Sequence, residues 1–315
     1  MTRTLTSLPL GFYASPSIMD IGGIDPLPAG ARMNRTDLRR VDLNLLIVFE
    51  TLMLERSVTR AAEKLFLGHD INRYPAYGDD LVYPATSLVR YPDVLTPVEA
   101  AVHYNPLLTV YTALMHQARL QPGEWVLITD ASRCCGPASI QLAKALGARV
   151  IASTHDAGDR DYLRELGAER VIAAEEEDLV SRIASITDGV GVHVALDALG
   201  GPQLALLGEA MAPRGRLLLY GLNGGNQTPL PACAAFKKKF KLYIHCVQDF
   251  TGQPEMGLEA DCAAVREALQ HIDQLTRDRL LKAQIKQVFP FAQFVEAHRC
   301  MEQCPTRGRV VLSVE

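Results

Sequence analysis

Trp125–Thr154 reads WVLITDASRCCGPASIQLAKALGARVIAST, and the order of its apolar and turn residues decides the fold. Val126–Ile128 is a short apolar run of the kind that forms a buried parallel strand. Pro137 suits the first turn of a helix, Gly147 suits the end of that helix, and Val150–Ala152 predicts a second strand. A strand–turn–helix–strand unit of about thirty residues is typical of half of a doubly wound sheet, in which the helix N-terminus is free to hold a phosphate.

The turn between this strand and this helix, Asp130–Gly136, contains one glycine where a dinucleotide-binding turn normally has two or three. By itself the motif indicates a cofactor site only weakly. Three surrounding segments closely resemble the medium-chain dehydrogenase/reductases of the zinc-free, quinone oxidoreductase-like branch: Leu120–Glu124, Gln141–Lys144 and Leu163–Ala168. In that family the turn usually reads AASSGVG, so Cys134 stands where a glycine is expected and Gly136 matches the last glycine. The resemblance covers about residues 72–315.

Predicted strands and helices alternate along the rest of the chain. Further strands are predicted at 170–172, 192–196, 216–220, 242–244 and 288–290, and helices at 95–101, 107–114, 159–166, 178–187, 266–275 and 291–301. Together with the resemblance, this pattern predicts an α/β protein with a Rossmann-type doubly wound parallel sheet, NADP-binding, over residues 113–284. Residues 72–112 and 285–315 resemble a truncated GroES-like catalytic domain. The family usually has further residues ahead of this point, which roof the substrate site.

The segment ahead of residue 72 has a different character. Residues 1–32 contain Gly, Pro and Ser residues without a clear period, which predicts an irregular, disordered leader. Met33–Gly68 closely resembles the start of a LysR-type transcriptional regulator, in which the helix corresponding to Val58–Leu65 opens a helix-turn-helix. Pro75 forbids the recognition helix that should follow, so we expect an N-terminal helical segment without sequence-specific DNA binding. The join near residues 68–73 indicates a fusion of two unrelated sequences.

The composition limits the class of protein. A net charge of −4 at pH 7 gives no reason to expect a general nucleic-acid or membrane binder. No run of eighteen apolar residues is present, and the first thirty residues lack a signal-peptide pattern. Seven unevenly spaced cysteines argue against a disulfide framework and favour a cytoplasmic location. His298, Cys300 and Cys304 fit the end of a helix better than a ligand set, so no metal site is predicted.

The end of the second predicted strand bears on the choice of cofactor. An NAD site places a carboxylate there, whereas an NADP site places a cation and small hydroxyls. The strand ends in Ser153 and Thr154, Arg160 follows, and Asp156 is the competing feature. NADP (NADPH) is therefore the predicted cofactor, with Arg160 on its 2′-phosphate. The resemblance adds the glycine-containing segments after the strands 192–196 and 216–220, and the closing strand of the family. The predicted cofactor-binding residues are therefore Ala131, Ser132, Arg133, Cys134, Cys135, Gly136, Ser153, Thr154, Arg160, Ala198, Leu199, Gly200, Gly221, Leu222, Asn223 and Arg309.

The resemblance implies an NADPH-dependent oxidoreductase that reduces a quinone, enone or aldehyde by hydride transfer. Its partner is then a small carbonyl or quinone molecule, and a homodimer is a further expectation. No catalytic residue is assigned, since His103 and Tyr104 are equally compatible with substrate contact and with a core role. Cys134 and Cys135 lie near a predicted helix N-terminus, and two interpretations are open. The helix lowers the thiol pKa and permits redox chemistry, or the two cysteines are packing substitutions in a turn that has lost its glycines. Two other classes stay open: a LysR-type DNA-binding regulator fragment fused to a cofactor-sensing dehydrogenase domain, and an inactive fusion product.

Overall fold

A six-stranded parallel sheet lies at the centre of the chain. In the computed structural model, which describes residues 62–64, 88–253, 256–303 and 307–313, the strands are β1 (Ala62–Lys64), β2 (Leu88–Arg90), β3 (Trp125–Ile128), β4 (Arg149–Thr154), β5 (Arg170–Ala173), β6 (Val192–Asp197), β7 (Met211–Leu219), β8 (Lys241–Ile244), β9 (Ile285–Pro290) and β10 (Arg309–Ser313). The central sheet has the order β5–β4–β3–β6–β7–β8, and every neighbouring pair is parallel. Because the order reverses between β3 and β6, the sheet is doubly wound. The predicted Rossmann-type fold is confirmed.

Helices connect these strands. They are α1 (Pro97–Tyr111), α2 (Gly136–Ala145), α3 (Arg160–Leu166), α4 (Leu179–Ile186), α5 (Leu204–Ala210), α6 (Ala232–Lys238), α7 (Gln248–Thr251), α8 (Cys262–Arg277) and α9 (Phe294–Gln303). A π-helical segment, Thr112–Gln117, continues α1, and a short 3₁₀ turn, Ala157–Asp159, precedes α3. The predicted helix at 178–187 corresponds to α4, whose N-cap, Asp178, accepts a hydrogen bond from the Ser181 N–H at 2.8 Å. This bond satisfies one of the free N–H groups of the first turn.

The unit β3–α2–β4 shows why the sheet forms where the sequence predicts it. All four residues of β3 are buried. Val126 and Ile128 join an apolar cluster that includes residues of α1, α2 and α8, whereas Leu127 joins a second cluster with residues of α4 and α5. Alternate side chains of a strand point to opposite faces, so helices cover both faces of β3, as a parallel sheet requires.

Helix α1 differs from the sequence prediction. Two helices are predicted, at 95–101 and 107–114, but α1 runs without interruption through Pro106. It begins with a capping box, in which the Glu99 N–H donates to the Thr96 hydroxyl oxygen at 3.3 Å and the Glu99 carboxylate accepts from the Thr96 N–H at 2.8 Å. A proline inside a helix removes one backbone hydrogen bond. Buried side chains on both sides of the proline hold the helix together despite that loss.

Two small sheets lie outside the central one. β9 and β10 pair in parallel, and an apolar cluster that includes Val102, Phe289 and Ala297 joins them to α1 and α9. β1 pairs antiparallel with β2. The predicted helix Val58–Leu65 is therefore wrong at Ala62–Lys64, because pairing with a distant strand overrides the local helical period. The leader, the rest of the regulator-like segment and the join lie outside the described residues.

The outer edge of the sheet carries a short basic run, Lys237, Lys238, Lys239 and Lys241, and a run of this kind predicts a solvated edge. Lys237 and Lys238 end α6, a helix that the sequence analysis missed, and Lys241 opens the edge strand β8. Lys237 and Lys241 are exposed, as predicted. Within the described ranges, no helix combines the length and the apolar character that a membrane crossing requires.

Candidate cofactor site

The carboxyl ends of β3, β4 and β6 meet at one edge of the sheet, which is where ligands bind in open α/β sheets. The Ala131 N–H donates to the Ser153 carbonyl oxygen at 2.9 Å and ties the turn after β3 to β4. The Thr129 hydroxyl donates to Asp197 Oδ1 at 2.6 Å and accepts from the Ala198 N–H at 3.0 Å, which ties β3 to β6. These hydrogen bonds fix the three strand ends relative to one another.

The turn from β3 into α2 contains two residues in the left-handed backbone region. Asp130 has a φ of +48° and Cys134 a φ of +45°, and this region favours glycine. A Cβ atom at Gly136 would lie 2.3 Å from the Ala131 carbonyl oxygen, so only glycine fits there. The match of Gly136 to the last family glycine therefore has a steric reason. Cys134 adopts a conformation suited to glycine while carrying a side chain.

The thiols of Cys134 and Cys135 are not activated by the helix that follows them. Burial raises the pKa of the Cys134 thiol and raises that of Cys135 to about 11. Solvent reaches the Cys134 side chain, but this side chain lines a narrow cleft in which the surrounding protein still desolvates a thiolate. Arg309, which forms a hydrogen bond with Cys135, lowers both pKa values only in part. The hypothesis of redox-active thiols with a lowered pKa is therefore wrong, and the packing interpretation remains.

The loops after β6 and β7 lie against this turn. A Cβ atom at Gly221 would lie 2.6 Å from the Ala198 carbonyl oxygen, so the two loops pack backbone against backbone. The Asn223 side chain donates to Asp130 Oδ2 at 3.3 Å and joins the loop after β7 to the turn after β3. Burial raises the pKa of the Asp130 carboxyl, while Arg133 and Asn223 oppose that shift. The structure thus brings together the predicted segments 131–136, 198–200 and 221–223.

A hydrogen-bonded group that the sequence analysis missed lies beside the end of β4. The Thr154 hydroxyl donates to Asp159 Oδ2 at 3.4 Å. Arg307 Nε donates to Asp159 Oδ1 at 2.6 Å, and the Arg307 Nη2 group donates to the Gly158 carbonyl oxygen at 2.8 Å. The Arg307 backbone N–H donates to the Ser132 carbonyl oxygen at 2.9 Å. Arg307 therefore joins the turn after β3 to the turn after β4.

Arg160, which the sequence analysis assigns to the 2′-phosphate, has carboxylate partners of its own. Its Nη2 group lies 2.8 Å from Glu177 Oε1 and 3.0 Å from Glu176 Oε2. Glu177 is held in turn by Arg182 at 2.6 Å and by the Ala173 N–H at 3.1 Å. The phosphate role of Arg160 stays a prediction, and its guanidinium faces the loop after β5.

Two hydroxyls near this edge have no hydrogen-bond partner in the part of the chain that the structure describes, those of Tyr162 and Tyr220. Burial raises the pKa of Tyr162 to about 12, with a further contribution from the charge of Asp159. Burial also raises the pKa of the Tyr220 hydroxyl, which lies among Cys135, Cys134 and Asp130. Unpartnered buried polar atoms of this kind call for an explanation such as an absent ligand or ordered water.

His103 and Tyr104 lie between α1 and α8, and their contacts favour the core role. His103 Nε2 lies 2.7 Å from Thr276 Oγ1, and the Tyr104 hydroxyl donates to Asp273. Burial lowers the pKa of His103 to about 4, so its ring is neutral at pH 7.

Metal ligands form no cluster in the described ranges. No group of three or more His, Cys, Asp or Glu side chains there is placed to hold a metal ion. The cysteines of these ranges are free, including Cys300 of the set considered in the sequence analysis. The described donor set therefore does not fit a zinc site, and zinc independence stays a prediction.

The chain is similar to known dehydrogenases over most of its described length. The protein-family model described as zinc-binding dehydrogenase matches residues 134–258. A phenolphthiocerol/phthiocerol polyketide synthase of Mycobacterium tuberculosis is 31% identical over 238 residues, which are 76% of this chain and 11% of that protein. The chain therefore spans a small part of the length of this relative.

Solved structures extend the similarity to the fold. Quinone oxidoreductase of Escherichia coli, crystallised with NADPH, matches with a TM-score of 0.64 and 26% identity over 72% of this chain and 68% of that one. CurK enoyl reductase matches with a TM-score of 0.62 and 26% identity over 72% of this chain and 65% of that one. These matches give no support to the regulator-like resemblance of Met33–Gly68. Together with the doubly wound sheet and the turn after β3, these matches show that the described part of the chain is similar to medium-chain dehydrogenase/reductases of the quinone oxidoreductase-like type.

Proposed function

We propose that the chain is an NADPH-dependent oxidoreductase that reduces an electron-poor double bond in a quinone, enone or aldehyde by hydride transfer. The observation that carries this proposal is the edge formed by the turn 131–136 and the loops 198–200 and 221–223. These three segments lie where a doubly wound sheet binds a dinucleotide. The matches to an NADPH-bound quinone oxidoreductase and to an enoyl reductase support the cofactor and the substrate class.

The residues at this edge fit a dinucleotide. Gly136 opens α2 without a side chain, so a pyrophosphate can approach the positive end of the helix dipole. The hydroxyls of Tyr162 and Tyr220 are buried donors for which the described residues supply no acceptor, and ribose or phosphate oxygens are acceptors. Arg309, beside Cys135, places a cation near the same turn.

In the proposed reaction, NADPH held at this edge would supply the hydride, solvent would supply the proton that completes the reduction, and the protein would bind and orient the reactants. The helix N-terminus and Arg309 would hold the pyrophosphate. The loops at Ala198 and Gly221 would position the nicotinamide half, because they lie at the ends of β6 and β7. Asn223 joins the second loop to Asp130 by its hydrogen bond of 3.3 Å, which would help to position this wall of the site.

The regulator-like alternative has little physical support. Ala62–Lys64 forms a strand at a position where a helix-turn-helix needs a helix. The described residues contain no base-reading helix that would replace it, since every helix beyond α1 belongs to the Rossmann unit or to the β9–β10 region. We therefore propose no DNA-binding function.

A titration of NADPH into the full-length protein, followed by nicotinamide fluorescence, tests the proposal. We expect saturable binding by the natural protein and consumption of NADPH with at least one member of a quinone, enone and aldehyde panel. Gly136→Ala should abolish binding, because the added Cβ atom would lie 2.3 Å from a backbone oxygen. Ala145→Ser, at the other end of α2, should bind normally. Failure of the natural protein to bind NADPH would contradict the proposed function.

A further inference from the structure

A cation that reaches the turn after β4 comes from the segment just ahead of β10. Arg307 lies just ahead of β10, and its guanidinium reaches Asp159 at 2.6 Å and Gly158 at 2.8 Å in the turn after β4. Half of its side chain, 50%, is exposed, whereas that of Asp159 is 4% exposed. The guanidinium therefore lies on the surface of this turn, with the carboxylate underneath it.

The backbone also holds Arg307 in place. Its N–H donates to the Ser132 carbonyl oxygen at 2.9 Å. Its φ of +65° lies in the left-handed region, so the backbone forms a turn at this residue. An arginine fixed by its backbone and by two side-chain hydrogen bonds loses little further freedom when a ligand binds.

The carboxylates that follow β4 both accept hydrogen bonds in the turn: Asp159 is buried, and the exposed Asp156 uses one of its two oxygens. Asp159 is buried and accepts hydrogen bonds from Arg307 and Thr154. Asp156 Oδ1 accepts from the Gly158 N–H at 2.7 Å and so closes the turn. An NAD site needs an exposed carboxylate at this place, whereas an NADP site needs a cation.

We infer that Arg307, and not Arg160, is the residue that selects NADPH over NADH by pairing with the 2′-phosphate. This inference rests on the proposed function and names the specificity residue of the same site. Asp159 acts as a positioning residue, because it orients the Arg307 guanidinium over the turn. The guanidinium of Arg160 is engaged with Glu176 and Glu177, on the side of the loop after β5.

The test measures Kd for NADPH and for NADH by isothermal titration calorimetry on the full-length protein. In Arg307→Gln we expect the Kd for NADPH to rise about 10-fold or more, the usual effect of losing a charge-assisted hydrogen bond. The Kd for NADH should change by less than about threefold, because the pyrophosphate contacts remain. Arg307→Lys keeps the charge and should keep part of the preference. Arg307→Gln leaves the buried Asp159 carboxylate unpaired and could fold poorly for that reason. The double variant Asp159→Asn with Arg307→Gln removes this charge and should show the same loss of NADPH affinity.

Arg160→Gln and Arg164→Gln complete the comparison. Arg160→Gln removes the same charge from the start of α3, and Arg164→Gln removes it from an exposed pair with Asp161. Both should leave the NADPH-to-NADH ratio within about threefold of the natural protein. Loss of the ratio in Arg160→Gln but not in Arg307→Gln overturns the inference while leaving the proposed function intact. A natural protein that binds neither cofactor overturns both.

Discussion

Replacement of Cys134 by glycine should stabilise the protein. Cys134 has a φ of +45°, in a region that costs a residue with a side chain about 1–2 kcal/mol. Glycine removes that strain but adds about 0.5–1 kcal/mol of backbone entropy to the unfolded chain. The thiol is exposed in its cleft, so little packing is lost. The net expectation is a gain of about 0.5–1 kcal/mol, or about 1–4 °C in Tm.

Thermal and urea unfolding of the full-length protein measure this effect, and two variants separate its causes. Cys134→Ala removes the thiol but keeps the Cβ atom, so it should give no stabilisation. Arg214→Gly acts at another exposed left-handed residue, with a φ of +60°, and should stabilise by a similar amount. Arg214 lies at the irregular start of β7, away from the turn, so only Cys134→Gly should also lower the Kd for NADPH.

Two results would refute the reasoning about backbone strain. One is a Tm for Cys134→Gly below that of the natural protein, which would mean that the thiol contributes more packing energy than the strain costs. The other is an equal rise in Tm for Cys134→Ala and Cys134→Gly, which would place the cost in the sulfur atom and not in the backbone.

Three further outcomes are expected. The His103 ring has a pKa of about 4 in the folded chain, against its ordinary value of 6.5 in the unfolded chain. As the pH falls through this window, the unfolded chain binds the proton more readily, so the free energy of unfolding decreases. Between pH 7.5 and 5.0 the natural protein should lose about 2 kcal/mol more than His103→Gln in urea unfolding, and equal losses would contradict the neutral ring. Activity should survive treatment with a chelator, and elemental analysis of the purified protein should find no stoichiometric zinc; activity removed together with such a metal would contradict this. In a gel-shift titration, a LysR-type operator should be preferred over a scrambled duplex by less than about tenfold, and a larger preference would restore the regulator-like interpretation.

The parts of the fold that the sequence predicted are those in which local signals and long-range packing agree. The run Val126–Ile128 is apolar enough to be buried on both faces, and Gly147 and Asp178 stand at a helix end and a helix start. Glycine, proline and capping residues mark such boundaries because each fits one backbone geometry. The predicted helix break before Leu107 failed because burial along α1 outweighed the proline signal.

The candidate site was predicted only in part, for a physical reason. The segments 131–136, 198–200 and 221–223 follow strands directly, so their meeting at one edge could be predicted from strand order alone. Arg307 could not be assigned in this way, because its position depends on contacts with Asp159 and Ser132, more than a hundred residues earlier. The one available signal was its place two residues before Arg309, in a segment already matched to the family's closing strand.

The hydrogen bond between the Arg307 N–H and the Ser132 carbonyl oxygen has a consequence for how the protein is made. A ribosome completes β3, α2 and β4 long before it adds residue 307, so the nascent sheet exists for a time without this bond. Contacts between residues so far apart in sequence form late, since the intervening chain must first be closed into a loop. The binding edge should therefore mature only after synthesis of the chain has passed β10. Newly made chains would then bind NADPH only once β10 has emerged from the ribosome.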